Sequence, residues 1–140
     1  MAVKQLSVYA ENKKGVLVKT TAALAAVGVD MKSIMIADTE EFGIIRMMVS
    51  DVEAAKTALK NVGFNVSARE VAAVAIPNET GELNRVLQLI ADEGINLDYM
   101  YSIINDQTDK AYMALRVDDN AAVEALLADK GYQILTDADI

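Results

Sequence analysis

The chain has 140 residues, is 53% hydrophobic, carries a formal net charge of −8, and contains neither cysteine nor histidine. The missing residue types exclude disulfides, thiol nucleophiles and thiolate metal sites, and they remove the commonest general base. The start of the chain lacks the apolar core of a signal peptide and no run approaches the length of a membrane span, so we expect a cytoplasmic protein without a membrane partner.

The negative charge is concentrated in the second half of the chain. Residues 1–71 contain 9 Lys and Arg and 8 Asp and Glu, a net charge of +1, whereas residues 72–140 contain 4 and 13, a net charge of −9. An acidic surface repels phosphate backbones, and two Phe without any Trp offer little surface for stacking on bases. We therefore expect no nucleic-acid partner.

In the first half, apolar residues recur alternately with period two and with helical period, which predicts four strands and two helices. Gly28 and Gly63 follow the helical runs as natural stops, and Asp51 precedes the second one as a helix N-cap. A short hairpin is predicted over residues 39–42. The predicted elements are strand 4–10, helix 16–27, strands 31–38 and 43–50, helix 52–62 and strand 64–71.

The second half repeats this order of elements: strand 72–76, helix 81–93, strands 98–105 and 110–117, helix 120–130 and strand 132–136. The order β-α-β-β-α-β predicts an α+β fold of two ferredoxin-like domains, each an antiparallel sheet with both helices on one face. Because strand 64–71 runs directly into strand 72–76, we expect the two domains to be in close contact, side by side.

The two halves are also copies in sequence. E-N-K-K-G-V-L at 11–17 aligns with P-N-E-T-G-E-L at 77–83, which places Gly15 on Gly81, an offset of 66 residues. Past residue 40 the offset becomes 68, as a longer surface turn in the second copy would produce. We therefore predict two copies of one domain, residues 1–71 and residues 72–140.

Strand 43–50 is apolar on both faces, with Ile45 and Met47 on one face and Ile44 and Met48 on the other. Only one face can pack on the helices of its own domain. We expect a second chain, in a homodimer, to cover the other face, because domains of this size gain most from shared burial. The alternative is an apolar sheet face that stays exposed.

The loop between the first strand and the first helix has the form x-N-x-x-G-x-L in both copies. A glycine at the helix start lets another molecule approach the backbone, and the first helical N–H groups together with the helix dipole favour a carboxylate. Asn12 and Asn78 can cap the helix or present an amide to a ligand. A glycine and an asparagine at such a turn are more often structural than functional.

These residues resemble the ACT domain family, over nearly the whole chain and with both copies in register. The resemblance rests on the two glycine loops, on G-V-D-M at 28–31 and G-I-N-L at 94–97, and on I-A-D-T-E-E-F-G-I-I-R at 36–46. The family often has proline just before the loop glycine, where this chain has Lys14 and Thr80. The resemblance implies an amino-acid-sensing regulatory module that holds a free amino acid at an interface near the glycine loop.

The residues that the resemblance makes candidates for ligand binding are Asn12, Lys14, Gly15, Val16, Leu17, Asp30 and Met31 in the first copy and Asn78, Thr80, Gly81, Glu82, Leu83, Asn96 and Leu97 in the second. We predict a non-catalytic protein without cofactor or metal, which modulates a separate enzyme of amino-acid metabolism. The alternative is a structural accessory or dimerisation subunit with no small-molecule ligand. A thermal-shift screen separates the two hypotheses.

The two glycine loops carry opposite charges, since Lys13 and Lys14 flank the first and Glu79 and Glu82 flank the second. A zwitterionic amino acid has one end for each environment. If the ligand lies between the copies, we expect its carboxylate toward residues 12–17 and its amino group toward the acidic loop. The alternative is that these charges are solvated surface.

Overall fold

The computed structural model describes residues 2–38 and 42–140. They form two compact units, one of Lys4–Arg69 and one of Glu70–Ile140 that also includes Val3. The elements are β1 (Val3–Glu11), α1 (Val16–Ala26), β2 (Met31–Asp38), β3 (Phe42–Val49), α2 (Val52–Asn61), β4 (Asn65–Pro77), α3 (Glu82–Asp92), β5 (Tyr99–Ile103), β6 (Lys110–Arg116), α4 (Asn120–Asp129), β7 (Gln133–Ile134) and a 3₁₀ helix (Asp137–Asp139). The hairpin predicted at 39–42 lies outside the described residues except for Phe42, which begins β3.

In the unit Lys4–Arg69 the strand order is β2-β3-β1, with β4 next to β1. Both β1 and β2 pair antiparallel with β3. The strand residues on one face share a core with residues of both helices, which places α1 and α2 on that face. The fully buried core residues are Leu6 and Val8 of β1, Leu24 of α1, Met47 of β3, and Ala55 and Leu59 of α2.

The unit Glu70–Ile140 repeats this plan. Strand β4 pairs antiparallel with β6 on one side and with β7 on the other, and β5 pairs antiparallel with β6. The order is therefore β7-β4-β6-β5, and both helices again share the core with one sheet face. The fully buried core residues are Val74 and Ile76 of β4, Val86 and Ile90 of α3, Leu115 of β6, and Val123 and Leu127 of α4. The predicted fold class is confirmed in both units.

Two details of the predicted elements are wrong. The strands predicted at 64–71 and 72–76 are one continuous strand, β4, because no turn residue interrupts the extended run. The strand predicted at 132–136 is only the two-residue β7, since Thr136 instead begins the 3₁₀ helix. There the Thr136 N–H donates to the Asp139 carboxylate at 2.8 Å. The predicted division at residues 71 and 72 stays a prediction of where the sequence copies meet.

The sheet faces opposite the helices are buried in part within the single chain, although Tyr9 is 45% exposed and Ile44 is partly exposed. Gln5, Met48 and Ala73 lie on these faces and are at most 1% exposed. The expectation that Met48 needs a second chain to cover it, or else stays exposed, is therefore wrong. The homodimer stays a prediction, and its main sequence argument is weakened. The apolar side chains that are exposed include Ile34 and Ile36 on β2, which ends the strand order of its unit.

Candidate functional site

Each glycine loop ends in a left-handed glycine that is the N-cap residue of the following helix. Gly15 has φ 85° and ψ −8°, and Gly81 has φ 89° and ψ −12°. A Cβ added to either glycine would meet no atom within 4 Å, so there is open space beside both. Glycine is therefore required by the backbone conformation, in which other residues are strained, and not by close packing within the chain.

The N-cap residue of each helix is the loop glycine, which has no side chain to cap with. The Asn78 side-chain amide instead donates to the Thr108 carbonyl at 3.1 Å, and its backbone N–H donates to the Asp109 carbonyl at 2.8 Å. Asn78 thus ties its loop to the turn between β5 and β6. Asn12 lines a small pocket described below.

The helix starts keep only part of their capacity to bind an anion. The first helical N–H of α1, from Val16, donates to the Lys13 carbonyl at 3.3 Å, and the Glu82 N–H of α3 donates to the Glu79 carbonyl at 3.2 Å. One of the N–H groups that the sequence argument offered to a carboxylate is therefore already used in each copy. Any bound carboxylate must rely on the N–H groups that follow and on nearby side chains.

Two adjacent pockets open beside the Gly15 loop, both within the unit Lys4–Arg69. The larger has a volume of about 340 Å³ and the smaller about 60 Å³. The larger pocket is lined by Tyr9, Ala10, Glu11, Lys13, Val16, Gly63, Phe64 and Asn65. The smaller pocket is lined by Ala10, Glu11, Asn12, Lys13, Val16, Leu17, Ile36, Gly43 and Ile45. We call the larger one the first-copy pocket.

The structure brings only part of the predicted first-copy set to these pockets. Asn12, Val16 and Leu17 line them, whereas Lys14, Gly15, Asp30 and Met31 are not among the lining residues. The sequence analysis missed the residues that come from the turn between α2 and β4. The available signal was the repeat itself, because an aromatic residue follows the turn glycine in both copies, as Phe64 and Tyr132.

Opposite charges lie at the first-copy pocket. The Lys13 ammonium is 2.6 Å from the Glu11 carboxylate, and both side chains are largely exposed. An exposed ion pair of this kind contributes little to stability, so either partner can exchange it for a ligand. The Lys19 ammonium, from the first turn of α1, lies 5.4 Å from the centre of the ring of Phe64, which lines the pocket, and so adds a second positive charge beside it.

The equivalent region of the second copy is arranged differently. The Tyr132 hydroxyl donates to the Glu82 carboxylate at 3.2 Å, and the Arg85 guanidinium lies 6.0 Å from the centre of the Tyr132 ring. Burial is the main reason that the pKa of Tyr132 is raised above 10.0; Arg85 lowers it and Glu82 raises it. Among the other candidates of this copy, Leu83 is 40% exposed, while Thr80 and Gly81 lie in the exposed loop.

The candidates at the strand starts have structural contacts. The Asp30 carboxylate is 2.8 Å from the Lys32 ammonium, and the Asn96 amide donates to the Asp98 carboxylate at 2.8 Å. Met31 and Leu97 are partly buried and pack against the cores of their own units. Ligand binding by these four residues, which are Asp30, Met31, Asn96 and Leu97, stays a prediction.

The described part of the chain has neither a cluster of acidic side chains for a metal ion nor a membrane-spanning helix. Within residues 2–38 and 42–140, no group of three or more Asp and Glu side chains is placed to hold a metal ion. None of the helices in the same ranges is long and apolar enough to span a membrane.

The family model described as an ACT domain pair matches residues 1–140. Protein BT0572 from Bacteroides thetaiotaomicron is 34% identical, with 99% of this chain and 95% of that chain covered and a TM-score of 0.91. The regulatory subunit of aspartate kinase from Thermus thermophilus, in its ligand-free form, is 15% identical, with 91% and 92% covered and a TM-score of 0.65. Its counterpart from Thermus flavus is 18% identical, with 89% and 90% covered and a TM-score of 0.61. No curated protein sequence matches the chain.

Proposed function

The chain belongs to the family of ACT domain pairs, and we propose that it is a non-catalytic regulatory protein that binds a free amino acid beside the Gly15 loop and modulates a separate metabolic enzyme. The observation that carries the proposal is the first-copy pocket of about 340 Å³ next to that loop. Sites for small molecules are concave, mostly apolar, and roughly 300 Å³ or larger. A pocket of this size suits one amino acid.

The chemistry around the pocket supports an amino acid as the ligand. Every free α-amino acid carries an ammonium group and a carboxylate on one carbon atom. The ion pair of Glu11 and Lys13 offers one partner for each of these groups within a single loop. The sequence instead led us to expect the ammonium group at the acidic loop of the second copy, which is a separate prediction; the present proposal assigns that group to Glu11.

The regulatory part of the proposal is supported by the relatives and by composition. Two structures with this fold are described as regulatory subunits of aspartate kinase, which supports a role in controlling an enzyme on another chain. The absence of histidine and cysteine supports a protein without catalytic turnover of its own.

A second candidate function is a structural subunit that docks or dimerises without a small-molecule ligand. It is favoured by exposed apolar side chains near one edge of the unit Lys4–Arg69, where Leu17, Ile34 and Ile36 are 41%, 42% and 49% exposed. Apolar side chains at an exposed edge suit contact with another protein. Sedimentation at tens of micromolar protein tests this candidate, since a stable monomer would contradict docking between copies.

A thermal-shift screen against the twenty amino acids, each at several concentrations, tests the proposed function. A ligand that binds only the folded state stabilises it by about 2.7 kcal/mol at one hundred times its Kd. We expect one amino acid or a chemically related group to raise the Tm with concentration. If none raises the Tm while the protein sediments as a dimer, the structural candidate replaces the proposal.

A further inference from the structure

We infer that the two copies are unequal ligand sites: the first-copy pocket takes an amino acid with an apolar side chain, and a hydrogen bond between Glu82 and Tyr132 closes the equivalent space in the second copy. This inference rests on the proposed function, because it assumes that the chain binds a free amino acid. It adds which copy binds the amino acid, which class of amino acid it binds, and which residues make the two copies different.

The aromatic ring occupies the same structural position in both copies. Phe64 follows Gly63, whose φ is 93°, and Tyr132 follows Gly131, whose φ is 88°. The Phe64 N–H donates to the Leu59 carbonyl at 3.1 Å, and the Tyr132 N–H makes the equivalent bond, at 3.0 Å, to α4. The two turns are therefore superimposable in their hydrogen bonding.

A cation from the first helix of each copy confirms the placement of the ring. Lys19 lies over Phe64 and Arg85 lies over Tyr132, at 5.4 Å and 6.0 Å from the ring centres. Lys19 and Arg85 are equivalent positions of the repeat, separated by the same 66 residues as the two loop glycines. Each ring thus lies beneath the first turns of its helix, beside the loop that precedes it.

The side chains that face each other across this space differ between the copies. In the first copy they are Val16 and Phe64, which cannot hydrogen-bond to each other, and both line the pocket. In the second copy the same positions are Glu82 and Tyr132, whose carboxylate and hydroxyl are joined at 3.2 Å. The pair of polar groups that bridges this space in the second copy is therefore missing from the first.

The charges of the two loops also favour ligand binding at the first copy. An incoming amino-acid carboxylate meets Lys13 at the first loop, whereas it meets the like charges of Glu79 and Glu82 at the second. Like charges in a partly buried site oppose binding. The second copy therefore excludes the ligand by occupancy and by charge.

The lining of the first-copy pocket indicates the class of side chain. Glu11 and Lys13 at its rim match the ammonium and carboxylate of the ligand. The pocket is also lined by Tyr9, Val16 and Phe64, which offer two aromatic rings and an aliphatic side chain. Such a surface favours leucine-like or phenylalanine-like side chains over charged ones.

Isothermal titration with L-leucine, L-phenylalanine and L-aspartate tests the inference on three proteins. Wild type is expected to bind one apolar amino acid per chain, at least tenfold more tightly than L-aspartate. The closing variant, Val16→Glu with Phe64→Tyr, is expected to weaken this binding at least tenfold. The opening variant, Glu82→Val with Tyr132→Phe, is expected to raise the stoichiometry toward two.

The closing variant is expected to fold, because a glutamate in the first turn of a helix is favourable and the change at Phe64 adds one oxygen atom. The urea unfolding midpoint of the closing variant checks this expectation. The single variant Val16→Glu is measured in parallel, and it replaces the double variant in the test if the double variant does not fold. Binding by the closing variant as tight as that of wild type would overturn the inference. A stoichiometry that stays at one in the opening variant would overturn Glu82 and Tyr132 as the closing pair.

The failure of this inference is distinguishable from that of the proposed function. If wild type binds none of the twenty amino acids in the thermal-shift screen, the proposed function fails and this inference fails with it. If wild type binds an amino acid but prefers L-aspartate to the apolar probes, only the ligand class assigned here is wrong. If the closing variant keeps the binding and the opening variant loses it, the second copy is the site.

Discussion

Replacing Gly15 with alanine tests whether its left-handed backbone, and not the space around it, is what requires glycine. A residue with a Cβ in this region is strained by roughly 1–2 kcal/mol, and the added methyl group meets no atom within 4 Å, so no clash contributes. Alanine also makes the unfolded chain stiffer, which stabilises the folded state by about 0.4–1 kcal/mol. We therefore expect a net loss of about 0.5–1 kcal/mol in the free energy of unfolding.

Gly43→Ala is the matched control, because Gly43 belongs to the same unit and does not have positive φ. A Cβ there meets the Ala10 carbonyl oxygen at 3.8 Å, an ordinary contact. The unfolded-state effect is the same in both variants and cancels, so their difference is the strain alone, roughly 1–2 kcal/mol. Urea unfolding with an unchanged m-value measures it. Equal stability of Gly15→Ala and Gly43→Ala would refute the reasoning.

Two further predictions concern hydrogen bonds outside the loop glycines. Because the pKa of Tyr132 is raised in the folded state, its contribution to stability is complete below the unfolded value of 10.0 and is lost as the pH rises through the folded value. Urea unfolding measured over a series of pH values on both sides of 10.0 should show a larger decline in wild type than in Tyr132→Phe. Asp51 and Asp119 each accept a helix N–H at 3.0 Å as N-caps, so Asp51→Ala and Asp119→Ala should each lower the free energy of unfolding by about 1 kcal/mol, and Asp51→Asn, which keeps the acceptor, should retain most of it. A cap variant as stable as wild type in the same titration would contradict the second prediction.

The fold follows from patterns that act over short distances in the sequence. Period-two and helical runs specify the strands and helices, and the Asp51 cap, confirmed by its bond to the Ala54 N–H at 3.0 Å, specifies where α2 begins. The repeat then specifies that both units share one topology. The last strand was overestimated because the competing hydrogen bond from Thr136 to Asp139 decides its end, and periodicity does not register such a bond.

The candidate site depends on residues that only the fold brings together. The loop that holds Lys13 and Val16 was recognisable by its repeated form. Tyr9 comes from β1 and Phe64 from the turn before β4, and the two converge only when the sheet has formed. The role of Asn78 was not predictable either, since its partner carbonyl lies 30 residues away at Thr108. Sequence reasoning therefore finds the loop and misses the surface opposite it.

The difference between the copies can be explained by a trade-off between stability and ligand binding, because a duplicated fold can assign one of these to each copy. A hydrogen bond to a charged group contributes roughly 1.5–3 kcal/mol when it is partly shielded from water, so the pair of Glu82 and Tyr132 stabilises its unit. A unit that keeps an open pocket between Val16 and Phe64 gives up that bond, because the same space cannot hold both the bond and a ligand. Sites that bind are commonly less stable than sites that are filled. With two copies in one chain, one unit can be the more stable while the other remains open to bind.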